Sequence, residues 1–193
     1  MVDEPEVAGL LALLLLTESR RRARFDADGS LVLLRHHDRS RWNRAMIDEG
    51  QAIVCACLRR NQPGPYQLQA AINAVHADAD SVEETDWSQI VTLYDQLLTV
   101  APTPVVALNR AVAVSEVDGP AAALALVDGL DLDGYHPFHA TRADLLRRLH
   151  RPDEAVNAYQ MAASLTPSAA ERKFLAAQAR LLSNPGRGVK SSG

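Results

Sequence analysis

Apolar residues recur along the chain at helical intervals, broken by short polar punctuation. The first stretch, Val7 to Leu16, is apolar throughout. It is too short to cross the roughly 30 Å of hydrocarbon in a bilayer. Asp3, Glu4 and Glu6 precede it, where a signal peptide carries positive charge. A helix apolar on every side is a core helix, covered on most of its faces. A start so close to a buried helix reads as a fragment whose natural predecessor is missing.

Helix starts and stops are the clearest local signals. Thr103-Pro104 reads as an N-cap followed by a first helical residue, and Gly119-Pro120 and Arg151-Pro152 repeat the pattern with poorer caps. Ser168 with Glu171 has capping-box spacing, and Ser81 with Glu84 is a weaker copy. These marks predict helices near 5–22, 40–60, 64–79, 86–99, 103–116, 120–129, 135–149, 152–164 and 168–182. The exception is Phe25 to Leu34, where Asp28-Gly29 interrupts a β-prone run and predicts a short β-hairpin near 24–34. The polar, Gly/Ser-rich tail from Asn184 to Gly193 is expected to be disordered.

The second half repeats. Ile90, Tyr94, Leu97 and Pro102 recur as Ala155, Tyr159, Ala162 and Pro167, with Ala123, Val127, Leu130 and Tyr135 as a weaker copy between them. Ala111 with Val114 likewise recurs as Ala143 with Leu146, 32 residues on. A period just below ~34 residues with helix–turn–helix content is the mark of a tetratricopeptide-type array, in which small residues let paired helices approach and an aromatic packs between neighbours. The fold class is therefore all-α: a tetratricopeptide-like helical-hairpin superhelix. Residues 1–80 are expected to form an N-terminal helical lobe with the short hairpin, packed on an array at 81–183 that ends in a capping helix, the two making one structural domain overall, and 184–193 is tail.

Composition narrows the class. Apolar residues make up 47% and aromatics 5% of 193 residues, which excludes a disordered chain and favours helices over sheet. Cys55 and Cys57 point in different directions on one helix, cannot pair, and fit a reduced, cytoplasmic protein. Charge is uneven: residues 20–60 hold ten arginines against five acids, whereas the whole chain has net charge −4.

Candidate sites follow from that asymmetry. Arg20, Arg21, Arg22 and Arg24 end the first helix, where cations complement the helix dipole; the same cluster is a docking face for an acidic partner. No interleaved aromatics offer bases a stacking platform. Gln67 and Gln69 either face solvent or satisfy backbone groups in a joint between lobe and array. Asn109, beside Arg110, shares one face with Val105, Val112 and Glu116; it is placed to bond a peptide backbone in a groove or to hold a neighbouring helix. His136 and His139 have Pro137 between them and no carboxylate or thiol at ligand spacing, so no metal is assigned. Asp26 to Leu31 has Leu31 where a calcium loop needs glycine and reads as a turn. Nothing nominates a nucleophile, phosphate loop or dinucleotide site; no cofactor and no catalytic residue is assigned, and the expectation is a non-enzyme.

Five segments carry a resemblance: Ser19 to Arg24, Asp26-x-Asp28-Gly29, Asp38-Arg39-Ser40-x-Trp42, Gly64 to Ile72 (GPYQLQAAI) and Pro104 to Ala113 (PVVALNRAVA). Together they resemble the C-terminal tetratricopeptide-like extension of a group of extracytoplasmic-function (ECF) RNA polymerase sigma factors, over residues 5–182. The resemblance implies a regulatory protein–protein interaction domain in bacterial transcription initiation. Its partners would be sigma regions 2 and 4 of the same full-length protein, core RNA polymerase, or both. Promoter DNA would be reached only through those regions, which this chain does not hold, and no membrane is involved. The alternative reading is a free-standing peptide-binding adaptor with a groove around Asn109.

Overall fold

A computed structural model describes residues 4–183, and among these the structure is all-α with no strand. Nine helices follow in order among them: α1 (Pro5–Glu18), α2 (Arg44–Arg59), α3 (Pro65–Asp78), α4 (Trp87–Val100), α5 (Pro104–Val117), α6 (Pro120–Val127), α7 (His136–Arg148), α8 (Pro152–Leu165) and α9 (Ala169–Ser183). Five of them, α1, α3, α5, α6 and α8, open on proline, whose fixed φ suits the first turn and whose missing N–H is not needed there. The expected tail at 184–193 lies outside the described residues. Among the described residues no helix is long and apolar enough to cross a membrane.

Two expected helices are shorter than their patterns. The first ends at Glu18, and a single 3₁₀ turn at Arg21–Ala23 follows. The second begins at Arg44 instead of 40, because the Asn43 side chain accepts the Met46 N–H at 3.2 Å and caps it there. The expected hairpin at 24–34 is one antiparallel bridge, Phe25 to Leu31. Asp28 accepts from the Ser30 amide and hydroxyl, which tightens the turn, and the chain enters a 3₁₀ turn at Leu34–His36 before a ladder can form.

The chain divides into two compact units, Met1–Ala113 and Val114–Gly193, with the division inside α5. The repeat starts before the first unit ends because α4 shares a core with α3: Leu68 and Ile72 pack with Ile90 and Leu97.

In the first unit α1 packs against both α2 and α3. Ala12, Leu16, Ile47, Val54, Ala70 and Ala71 form the core there. A Cβ on Gly9 would meet the Gln67 backbone nitrogen at 2.7 Å, so only glycine lets α1 and α3 approach this closely.

In the second unit α6, α7, α8 and α9 pack successively, each on the next. The short connector between α7 and α8 makes them antiparallel neighbours. Val127, Phe138, Leu146, Ala155, Tyr159 and Leu175 are buried.

The small and aliphatic repeat positions are mostly buried alike, whereas the aromatic one varies from buried at Tyr159 to half-buried at Tyr94, and Pro102 and Pro167 are exposed. Ile90, Leu97, Ala111, Val114, Ala123, Val127, Ala143, Leu146, Ala155, Tyr159 and Ala162 are all buried, whereas Tyr135 of the weak copy is exposed. Tyr94 lies half-buried against the α3–α4 core, which pushes its phenol up to about 12. Ser168 caps α9 by accepting the Glu171 N–H, but the Glu171 carboxylate turns to the Thr166 hydroxyl at 2.6 Å. Ser81 accepts the Glu84 N–H in a turn that starts no helix; α4 is capped by Asp86 instead.

Candidate interaction surface

The arginine segment separates by burial into one core residue and three outer ones. Arg20 is 7% exposed: its Nε donates to the Leu16 carbonyl at 3.1 Å, its terminal nitrogen donates to the Asn73 side chain, and its guanidinium lies 5.6 Å from the centre of the Trp42 ring. Burial, with Arg24 and Arg39 nearby, pushes it down to about 10. Arg20 therefore holds α1, α3 and the α2 approach together and is not available to a partner. This corrects its assignment to a docking face: the guanidinium is spent inside the core, where it helps to satisfy the Leu16 carbonyl in the last turn of α1.

Arg21 and Arg22 are exposed, and Arg21 pairs with Glu18 at 2.9 Å. Arg24 is half-buried and donates to the Thr17 carbonyl at 3.2 Å. The outward basic surface is thus Arg21 and Arg22 with part of Arg24. Beside Arg22 lies a shallow hollow that Arg41 and Trp42 help to line.

This end of the unit is held by a network the sequence did not announce. Trp42 is buried between Arg20 and Arg39, the latter's guanidinium 4.8 Å from the ring centre, and the His37 ring meets it edge-on. Arg39 reaches back to donate to the His76 and Ala79 carbonyls at the end of α3. The only signal in the sequence was the Asp38-Arg39-Ser40-x-Trp42 segment itself.

Next to the basic segment, α1 leaves an apolar stripe uncovered. Val7, Leu11 and Leu14 are 51%, 47% and 58% exposed. Their spacing puts them on one face, opposite the buried Gly9, Ala12 and Leu16. The helix is apolar all round, as expected, but covered on one side only.

The remaining candidates are placed as follows. Gln67 is buried, and its side-chain nitrogen donates to Glu6 at 3.1 Å and to the Gln62 carbonyl at 3.0 Å. It fastens α3 to α1 within one unit, which gives it a structural task and takes it off the surface. Gln69 donates to the Pro65 carbonyl within its own helix. Asn109 is exposed on α5, and Arg110 is paired with Asp95 of α4 at 2.6 Å. The α4–α5 pair, and not the arginine segment, is thus the setting of these two residues. Among the described residues no three His, Cys, Asp or Glu side chains converge to hold a metal ion; His136 faces Glu171 at 3.8 Å and His139 bonds the Asp133 carbonyl.

Residues 1–58 match a family of unknown function (DUF6596). The chain is also 50% identical over 177 residues to an uncharacterized protein of Rhizobium meliloti (strain 1021). That match covers 91% of this chain and 42% of the relative, so the chain spans less than half the relative's length. No solved structure matches the chain.

Proposed function

We propose that this chain is a regulatory, protein-holding domain of an ECF-type sigma factor, acting in the cytoplasm on bacterial transcription initiation. In this reading it holds sigma regions 2 and 4, core RNA polymerase, or both, in a working or restrained geometry. The observation that carries it is the uncovered stripe of Val7, Leu11 and Leu14 on α1, running toward the exposed Arg21 and Arg22. An apolar strip flanked by cations has the makeup of a protein interface with an acidic rim on its partner. A relative with more than half of its length outside the match supports the idea that this domain works joined to others. The sigma assignment itself rests on the five motif segments.

The test is a pull-down of sigma regions 2 and 4 and of core polymerase. It compares the native chain, Leu11→Glu with Leu14→Glu, and Arg21→Glu with Arg22→Glu; Arg20 is left in place because its reversal would disturb the core. The expected outcome is capture by the native chain and a loss of about tenfold or more in both variants. No capture by the native chain, or equal capture by all three, would sink the reading. The adaptor alternative keeps one supporting feature, the exposure of Asn109 beside Val112 on α5. It requires peptide binding that Asn109→Ala abolishes and the α1 variants leave intact.

A further inference from the structure

A second surface lies away from the α1 stripe, within the first unit. Gln51, Val54, Cys55 and Leu58 of α2 line one wall of a groove of about 490 Å³. Their spacing of three, four and seven places them on one helical face. Ala71, Ala74, Val75 and Asp78 of α3 line the same groove with identical spacing. Gln89 and Leu93 of α4 also line it. Because α3 packs against both α2 and α4, its Ala71 and Ala74 line the groove between the α2 and α4 residues. Three helix faces thus present apolar side chains to one trough, and Leu58 is 56% exposed along it.

One end of the groove is strongly acidic. Asp78, Glu84 and Asp86 line it, and Asp80 and Glu83 stand in the same connection between α3 and α4. The stretch from 78 to 86 holds five acids and no base. Arg39 offsets part of this charge, since it senses Asp80, Glu83 and Glu84, and Asp86 uses one oxygen on the Gln89 amide. Among the described residues no cation lines the groove itself. An apolar trough with one acidic end is complementary to an amphipathic helix that carries an apolar stripe and Lys or Arg at one end.

We propose that this groove docks a basic amphipathic helix of a partner protein, its apolar stripe over Ala71, Ala74 and Val75 and its cationic end against Asp78, Glu84 and Asp86. The proposal stands on different residues from the α1 interface and does not depend on the sigma reading. The groove brings its own reporter: Cys55 is exposed on its wall, whereas Cys57 is buried and its thiol is pushed up by burial.

The experiment follows alkylation of Cys55 by iodoacetamide in the 193-residue chain, read by mass spectrometry at each cysteine. The probe is a synthetic helical peptide of about 14 residues, roughly four turns, with leucines on one stripe and a lysine/arginine end. A control peptide carries glutamates at that end. The basic peptide is expected to slow Cys55 modification by about tenfold or more at saturation, and the acidic one to leave it unchanged. Glu84→Lys with Asp78→Lys, both exposed, and separately Leu58→Glu, are each expected to weaken protection by about tenfold, with the native circular dichroism retained. Equal protection by both peptides, none by either, or protection indifferent to these variants overturns the proposal. Protection that rises with protein concentration alone, with a doubled mass in sedimentation, assigns the groove to a second copy and overturns it as well.

Discussion

Glu6 and Gln67 stand 61 positions apart in the chain, and the carboxylate of the first caps the helix that contains the second. The Tyr66 amide donates to Glu6 at 3.0 Å and the Gln67 amide at 3.3 Å, with the Gln67 side chain adding 3.1 Å. Gly64, in the N-cap position of α3, has no side chain to do this. A Cβ there would sit 2.2 Å from the Glu6 carboxyl carbon, so the glycine makes room for the remote cap.

Replacing Glu6 by Ala should therefore lower stability by about 1–3 kcal/mol, because two amides and the Gln67 side chain lose a charged acceptor. Gly64→Ala should fall in the same direction by displacing the carboxylate. Combining the two should cost less than the sum, since both remove one cap. Urea unfolding midpoints check this; additive losses would show that Gly64 matters for another reason.

Arg20 and Arg22 stand two positions apart with opposite surroundings: the first is buried and the second exposed. Lysine in place of Arg20 loses the fork that reaches both Leu16 and Asn73 and the guanidinium contact over the Trp42 ring. A loss of about 1–3 kcal/mol is expected, while Arg22→Lys should stay within ~0.5 kcal/mol. Thermal unfolding of the two variants side by side is the measurement. An unchanged melting temperature for Arg20→Lys would mean the buried guanidinium contributes nothing beyond its charge.

Much of the α-helical order was legible because proline, caps and Ala/Leu periodicity are local signals. The repeat was legible for the same reason: small residues such as Ala143, Ala155 and Ala162 must be small for helices to touch, whatever the partner. What escaped was the long-range polar wiring. Nothing local distinguishes Arg20 from Arg21 and Arg22; only the arrival of Asn73 and Trp42 from elsewhere makes one of them a core residue. The division inside α5 escaped likewise, because the period belongs to single helices and the core belongs to the α3–α4 pair. The groove was half visible, since the 51/54/55/58 and 71/74/75/78 faces can be read from spacing but their juxtaposition cannot.

His76 gives the fold a pH dependence. Its ring lies edge-on to Trp87 with centroids 5.1 Å apart, and burial, assisted by Arg20 and Arg39, pushes it down to about 4 from 6.5. The folded state thus binds fewer protons than the unfolded one between those values. Stability is complete above about pH 6.5 and falls as pH drops toward 4, by at most about 3 kcal/mol from this group, after which both states are protonated and the loss stops. His37, shifted in the same direction mainly by burial, adds to the slope. Denaturant midpoints of the native chain and of His76→Gln, compared from pH 4 to pH 7, isolate the contribution. The native chain should lose the larger share on acidification, and parallel curves would contradict a half-buried histidine held neutral.

The repeat positions make a sharper demand on side-chain size. Ala143 and Ala155 are fully buried where α7 and α8 lie against each other, and Ala162 is equally closed. A leucine at any of them adds three heavy atoms where helix backbones already approach. Each substitution should destabilise the chain by about 1–3 kcal/mol through overpacking, despite leucine's good helix propensity. Ala122, on the exposed side of α6, is the matched control: Ala122→Leu should change stability by less than ~0.5 kcal/mol. If leucine were tolerated at both Ala143 and Ala155, the small residues of the repeat would not be setting the distance between its helices.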